Sequence, residues 1–97
     1  MQPIATDFSE GNYQYTQLAR QGMWAIYRQQ HRQAPVMRYE VIKIRVVPET
    51  VWPNGTTTPE REVYPGASTW GRAGWTCYSL AEAQALLAAW TTEEQET

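Results

Sequence analysis

The sequence predicts an α+β fold, a small antiparallel sheet of three to four strands with one C-terminal helix packed on a face. Three observations carry this. Residues 13–47 hold three strand-like runs separated by turn signals. Residues 79–91 repeat apolar side chains at helical spacing behind a capping box. The 97 residues make one domain, and a single sheet of that size needs a helix or a second layer over its apolar face to be stable.

Residues 1–10 show no periodicity and are expected to form a loose N-terminal arm pinned by Phe8. Gly11-Asn12 is a turn signal, and residues 13–20 then alternate aromatic or apolar with polar side chains, the two-residue period of a strand. Gln21-Gly22 signals another tight turn. Residues 23–28 are nearly continuous in apolar content, as in a strand covered on both faces, and so short a connection joins the two as a hairpin. Residues 29–35 are polar and end in Pro35, which reads as a loop or a projecting hairpin tip. In 37–47, Ile42, Ile44 and Val46 share one face, expected in the core, and Val41, Lys43 and Arg45 share the other, expected largely in water. Pro48 lacks a ladder donor and ends the strand.

Residues 48–63 carry Pro48, Pro53, Asn54-Gly55 and Pro59, and form either a long loop or a ragged hairpin of 49–52 against 56–63. The Trp/Gly-rich segment 64–78 leads straight into the helix of 79–91. There the Ser79 hydroxyl can accept one exposed backbone N–H while the Glu82 carboxylate reaches back to another. Leu80, Ala83, Leu87 and Trp90, flanked by Leu86, give that helix its apolar stripe. Residues 92–97 are an acidic tail expected in solvent.

Five Trp, six Tyr and Phe8 supply the core volume that a shortage of aliphatic residues would otherwise deny. One cysteine forms no intramolecular disulfide, no apolar run reaches membrane-spanning length, and the first residues lack the basic and apolar regions of a secretory signal. These point to a cytoplasmic protein with no membrane partner. Asn54-Gly55-Thr56 matches a glycosylation acceptor but reads better as turn chemistry in that setting. The net charge is −2, yet residues 20–45 hold six cations against Glu40 alone. Self-neutralisation across the fold is the preferred account over a functional basic face, since mixed surface charge is the normal condition.

Three constellations are candidates for chemistry. In the first, Trp70-Gly71-Arg72-Ala73-Gly74-Trp75, the glycines let rings approach the backbone, and Arg72 either covers an indole or is the one charge of an aromatic pocket completed by Tyr78. The same tryptophans also serve as a plug between sheet and helix. The second is the basic hairpin of Arg20, Arg28, His31, Arg32 and Arg38, interleaved with Tyr27 and Tyr39, a composition that holds single-stranded nucleic acid, although no nucleic-acid-binding motif accompanies it. The third is a dyad of Cys77 with His31, which no spacing demands. No metal, cofactor or catalytic signature is present, and Cys77 reads as a small buried filler.

The order Gly22-Met-Trp-Ala-Ile-Tyr27, Tyr39-Glu-Val-Ile42, Glu62-Val-Tyr-Pro65, Trp70-Gly71 with Gly74-Trp75, and an Ala-rich helix from Ser79 resembles a loose group of small uncharacterised proteins encoded by phages, plasmids and other mobile or bacterial DNA. The resemblance covers residues 11–90, and Tyr-Pro…Trp-Gly-x-x-Gly-Trp is its most specific part. It brings no activity, cofactor or catalytic residue. It implies an accessory gene product that binds a host macromolecule. The expected function is thus a non-enzymatic interaction module contacting a host protein or a second copy of itself, with Trp70, Arg72, Trp75, Tyr78, Arg28, Arg32 and Arg38 as contact residues. Nucleic-acid binding through 20–45 and a small ligand in an aromatic pocket are the alternatives.

Overall fold

The computed structural model describes residues 1–66, 70–71 and 73–95. In chain order the elements are β1 (Asp7–Glu10), β2 (Tyr13–Gln21), β3 (Trp24–His31), β4 (Met37–Lys43), β5 (Arg45–Val47), β6 (Thr50–Val51), β7 (Thr57–Thr58), β8 (Arg61–Val63), β9 (Gly74–Cys77) and α1 (Leu80–Gln95). The architecture is α+β: a five-stranded antiparallel sheet ordered β1-β2-β3-β4-β9, with α1 packed against it.

The β2–β3 hairpin forms where the sequence places it. Its loop is Gly22–Met23, with Gln21 opposite Trp24, and only Gly22 takes a positive φ (61°), the pattern of a type II′ turn. A bulge at Leu18 shifts the register between Gln17 and Ala19. The sheet has five strands rather than three or four because β1 and β9 come from the segments expected as arm and joint. The first residues are not loose. Gln2 pairs with β8, Thr6 O accepts the Gln17 N–H, Ala5 O accepts the Tyr27 hydroxyl, and Ile4 is buried.

The run 37–47 is not one strand. Ile44 breaks it, donating its N–H to Met23 O at 2.7 Å. The chain then leaves the sheet as an arm in which β5 pairs with β8 and β6 with β7. Both pairs keep one register, so the arm is a single hairpin whose ladder is interrupted at Pro48 and Pro59, which lack donors. Of the two expectations for 48–63, the ragged hairpin is the one that forms. Val46 is exposed on this arm, not in the core, and Val41 is fully buried under α1, not in water.

Both faces of the sheet are covered, where sequence reasoning expected two layers. On the helix side, Trp24, Ile26, Val41 and Cys77 pack against Ala83 and Leu87. Trp24 and Trp90 meet at a tilt of 46° with centroids 4.8 Å apart. Leu80 sits outside this stripe and is exposed. The helix continues past residue 91, because Thr91 is buried and its hydroxyl donates to Leu87 O at 2.8 Å, satisfying itself within the helix. On the other side, Ile4, Tyr15, Ala25, Tyr27, Ile42 and Ile44 are roofed by Phe8, Tyr64 and Trp70. Phe8 stacks on Tyr15 at 4.7 Å, and Tyr64 meets Phe8, Tyr15 and Tyr27 edge-on. Those rings replace the missing aliphatics on a face that has no helix.

Candidate functional site

Alternation along β9 separates the two tryptophans of the Trp/Gly segment. Gly74 and Thr76 lie opposite Ile42 and Glu40, on the face without the helix, while Trp75 and Cys77 lie opposite Val41 and Tyr39, on the helix side. Trp70 folds onto the first pair. Its indole N–H donates to the Thr76 hydroxyl at 3.1 Å, and its ring occupies the space where a Cβ on Gly74 would sit, so only glycine fits there. Trp70 is therefore part of the roof over the sheet. Trp75 is 48% exposed beside α1, and Tyr78, at the turn into the helix, is 74% exposed. The two tryptophans line no common pocket. Arg72 lies outside the described residues.

Beside Trp70 and Thr76 sits a buried carboxylate. Glu40 is only 7% exposed, and its carboxylate accepts the Tyr64 hydroxyl at 2.5 Å. Burial pushes the Glu40 carboxyl above its usual range, against the opposing pull of Tyr64, Arg38 and Thr76. Burial and the neighbouring carboxylate push the Tyr64 phenol strongly upward. The chain Trp70–Thr76–Glu40–Tyr64 ties the Trp70 and Tyr64 side chains to β4 and β9.

The basic hairpin does not gather into one surface. Arg28 is opposite Tyr39 on the helix side, and Arg38 is opposite Gln29 on the other face. Arg20 is committed as a fork on Glu62, at 2.7 and 2.8 Å. Tyr27 is fully buried. Arg32 is exposed at the hairpin tip, where its N–H donates to Asn12 O. Arg28 is half-buried, and its Nε is the one buried side-chain nitrogen or oxygen without a partner among the described residues. His31 meets Tyr13 edge-on on the face away from the helix. Cys77, fully buried, is on the opposite face, so the two form no dyad. Burial raises the Cys77 thiol, which suits a packing role. Among the described residues no group of three or more His, Cys, Asp or Glu side chains is placed to hold a metal.

Two features escaped sequence reasoning. The arm carries Val51 and Trp52 at its tip, with Trp52 50% exposed and its indole N–H held by Thr58 at 2.8 Å. A groove of about 650 Å³ with both polar and apolar walls runs between the N-terminal residues, β2 and β8, lined by Gln2, Pro3, Ile4, Ala5, Thr6, Gln17, Arg20, Arg61 and Glu62. The groove depends on long-range pairing of residues 2–6 with β2 and β8, for which the local sequence holds no signal, whereas the arm is the ragged hairpin expected for 48–63 and only the exposure of Val51 and Trp52 at its tip was not read from it. No helix among the described residues is long and apolar enough to cross a membrane. No family model, characterised protein or solved structure matches the chain.

Proposed function

We propose that the chain is a non-enzymatic protein-interaction module, an accessory product of mobile or phage-like DNA acting in the cytoplasm, and that the aromatic edge at β9 is its contact surface. One observation carries this. Trp75 stands exposed on β9, an edge strand of the sheet, and Tyr78 is exposed just beyond it, while Trp24, Tyr15 and Tyr27 are buried. Exposed Trp and Tyr are the residue types that dominate binding energy at interfaces. The division of Arg28 and Arg38 between opposite faces removes support from a nucleic-acid surface on the hairpin, and the division of Trp70 from Trp75 does the same for an aromatic ligand pocket.

The test is affinity capture from host lysate with the wild-type chain and the double variant Trp75→Ala/Tyr78→Ala, both checked for fold by circular dichroism. The expected result is a specific partner held by the wild type and lost from the variant. An identical set of captured proteins would overturn this surface.

A further inference from the structure

We infer that the groove between the N-terminal residues, β2 and β8 is a binding site for a small organic monocarboxylate, with the acid group on Arg61 and the apolar body against Pro3, Ile4 and Ala5. The site shares no residue with the β9 surface, so either reading can fail alone.

The groove is preformed. One wall is the segment 2–6, which backbone bonds pin at both ends. Gln2 N–H donates to Glu60 O at 3.0 Å and Gln2 O accepts the Glu62 N–H at 2.9 Å, while Thr6 O accepts the Gln17 N–H at 2.7 Å. Between those ends the Ile4 side chain is buried, and its N–H donates to Glu62 Oε1 at 3.1 Å. A space of about 650 Å³ lies within the range of small-molecule sites.

Charge selects the ligand. The ionic residues lining the groove are two arginines, Arg20 and Arg61, and one acid, Glu62. Arg20 and Glu62 satisfy each other through the fork at 2.7 and 2.8 Å, and the Ile4 N–H brings the Glu62 carboxylate to three hydrogen bonds. Arg61 is half-buried, and among the described residues its guanidinium meets no hydrogen-bond acceptor or acidic side chain. The lining therefore carries one uncompensated positive charge, on the side chain whose planar fork matches a carboxylate. A single carboxylate balances it, whereas a phosphate dianion would add excess negative charge beside Glu62. Gln17 donates its amide N–H to the Tyr27 hydroxyl at 3.0 Å and keeps its carbonyl oxygen as an acceptor for a polar group on the ligand. Pro3, Ile4 and Ala5 supply the apolar contact that sets an organic acid apart from an inorganic anion.

Amide NMR of the full isotope-labelled chain titrated with hexanoate tests this, with hexanamide and inorganic phosphate as comparisons. Saturable shifts are expected at Gln2, Ala5, Gln17 and Arg61, with a dissociation constant of about 1 mM. Arg61→Gln removes the charge without removing a side-chain bond. It should weaken hexanoate at least about tenfold while the β8 amides of the free variant stay in place. Arg32→Gln, the same change of charge at the exposed hairpin tip, should leave hexanoate binding as it is. Shifts that never saturate overturn the site. Equal binding of hexanamide, or hexanoate binding that survives Arg61→Gln, overturns the carboxylate assignment. Phosphate that binds at the same amides as tightly as hexanoate overturns the role given to the apolar wall.

Discussion

Two carboxylates, Glu40 on the sheet and Glu62 on the arm, respond to acid in opposite directions. Glu62 accepts both guanidinium nitrogens of Arg20 and the Ile4 N–H, and these hold its carboxyl at about 2, below the ordinary 4.5. Its stabilisation is complete above the unfolded value and is lost as pH falls from 4.5 toward 2. Glu40 is buried and shifted upward. Its ionised form penalises the fold, so the chain gains stability as pH falls through the raised value toward 4.5 and gains nothing below it. Urea midpoints measured from neutral pH into acid should show both limbs. Glu40→Gln should flatten the upper limb and Glu62→Gln the lower. If both variants keep the wild-type profile, neither pairing matters to the fold. Nothing local in the sequence marked these residues. Glu40 was readable only as the lone acid among six cations, and its real partner, Tyr64, lies 24 positions away.

At the scale of elements, the helix start was fully legible. The Ser79 hydroxyl accepts the Glu82 N–H at 3.1 Å, and the Glu82 carboxylate reaches back to Tyr78 N at 3.5 Å. Ser79→Ala should lower stability by about 1 kcal/mol and speed exchange of the Glu82 amide. An unchanged denaturation midpoint would show that packing of Ala83 and Leu87 alone holds the first turn. The helix end was less legible, since 92–97 carries charge but no stop signal, and burial of Thr91 decides the continuation. Strand ends followed the same division. Gly22 and the alternation of 13–20 predicted the hairpin, whereas the break at Ile44 answers to a backbone bond with Met23, which no periodicity encodes.

For the whole molecule, the two-sided core has the largest consequences. Ile4 packs among Tyr15, Tyr27 and Ile42, and the segment it anchors brings Thr6 O to the Gln17 N–H at 2.7 Å. Ile4→Ala should cost about 2–4 kcal/mol and, specifically, release protection of the Gln17 amide. Loss of stability with that amide still protected would mean the arm is held by its backbone bonds and not by this side chain. With the second face covered by the first residues and Tyr64, the exposed apolar side chains on the five-stranded sheet include Leu18, Met37 and Trp75.

The sequence by itself determined the α+β class, the central hairpin and its turn, the capped helix and the burial of Cys77, because periodicity, turn chemistry and capping act over a few residues. Tertiary structure alone decided that the N-terminal residues and the Trp/Gly segment each add a strand, that Trp70 is core while Trp75 is surface, and that Arg28 and Arg38 face apart. Each of those outcomes depends on which strand lies beside which, and at a sheet a shift of one residue exchanges the buried face for the exposed one.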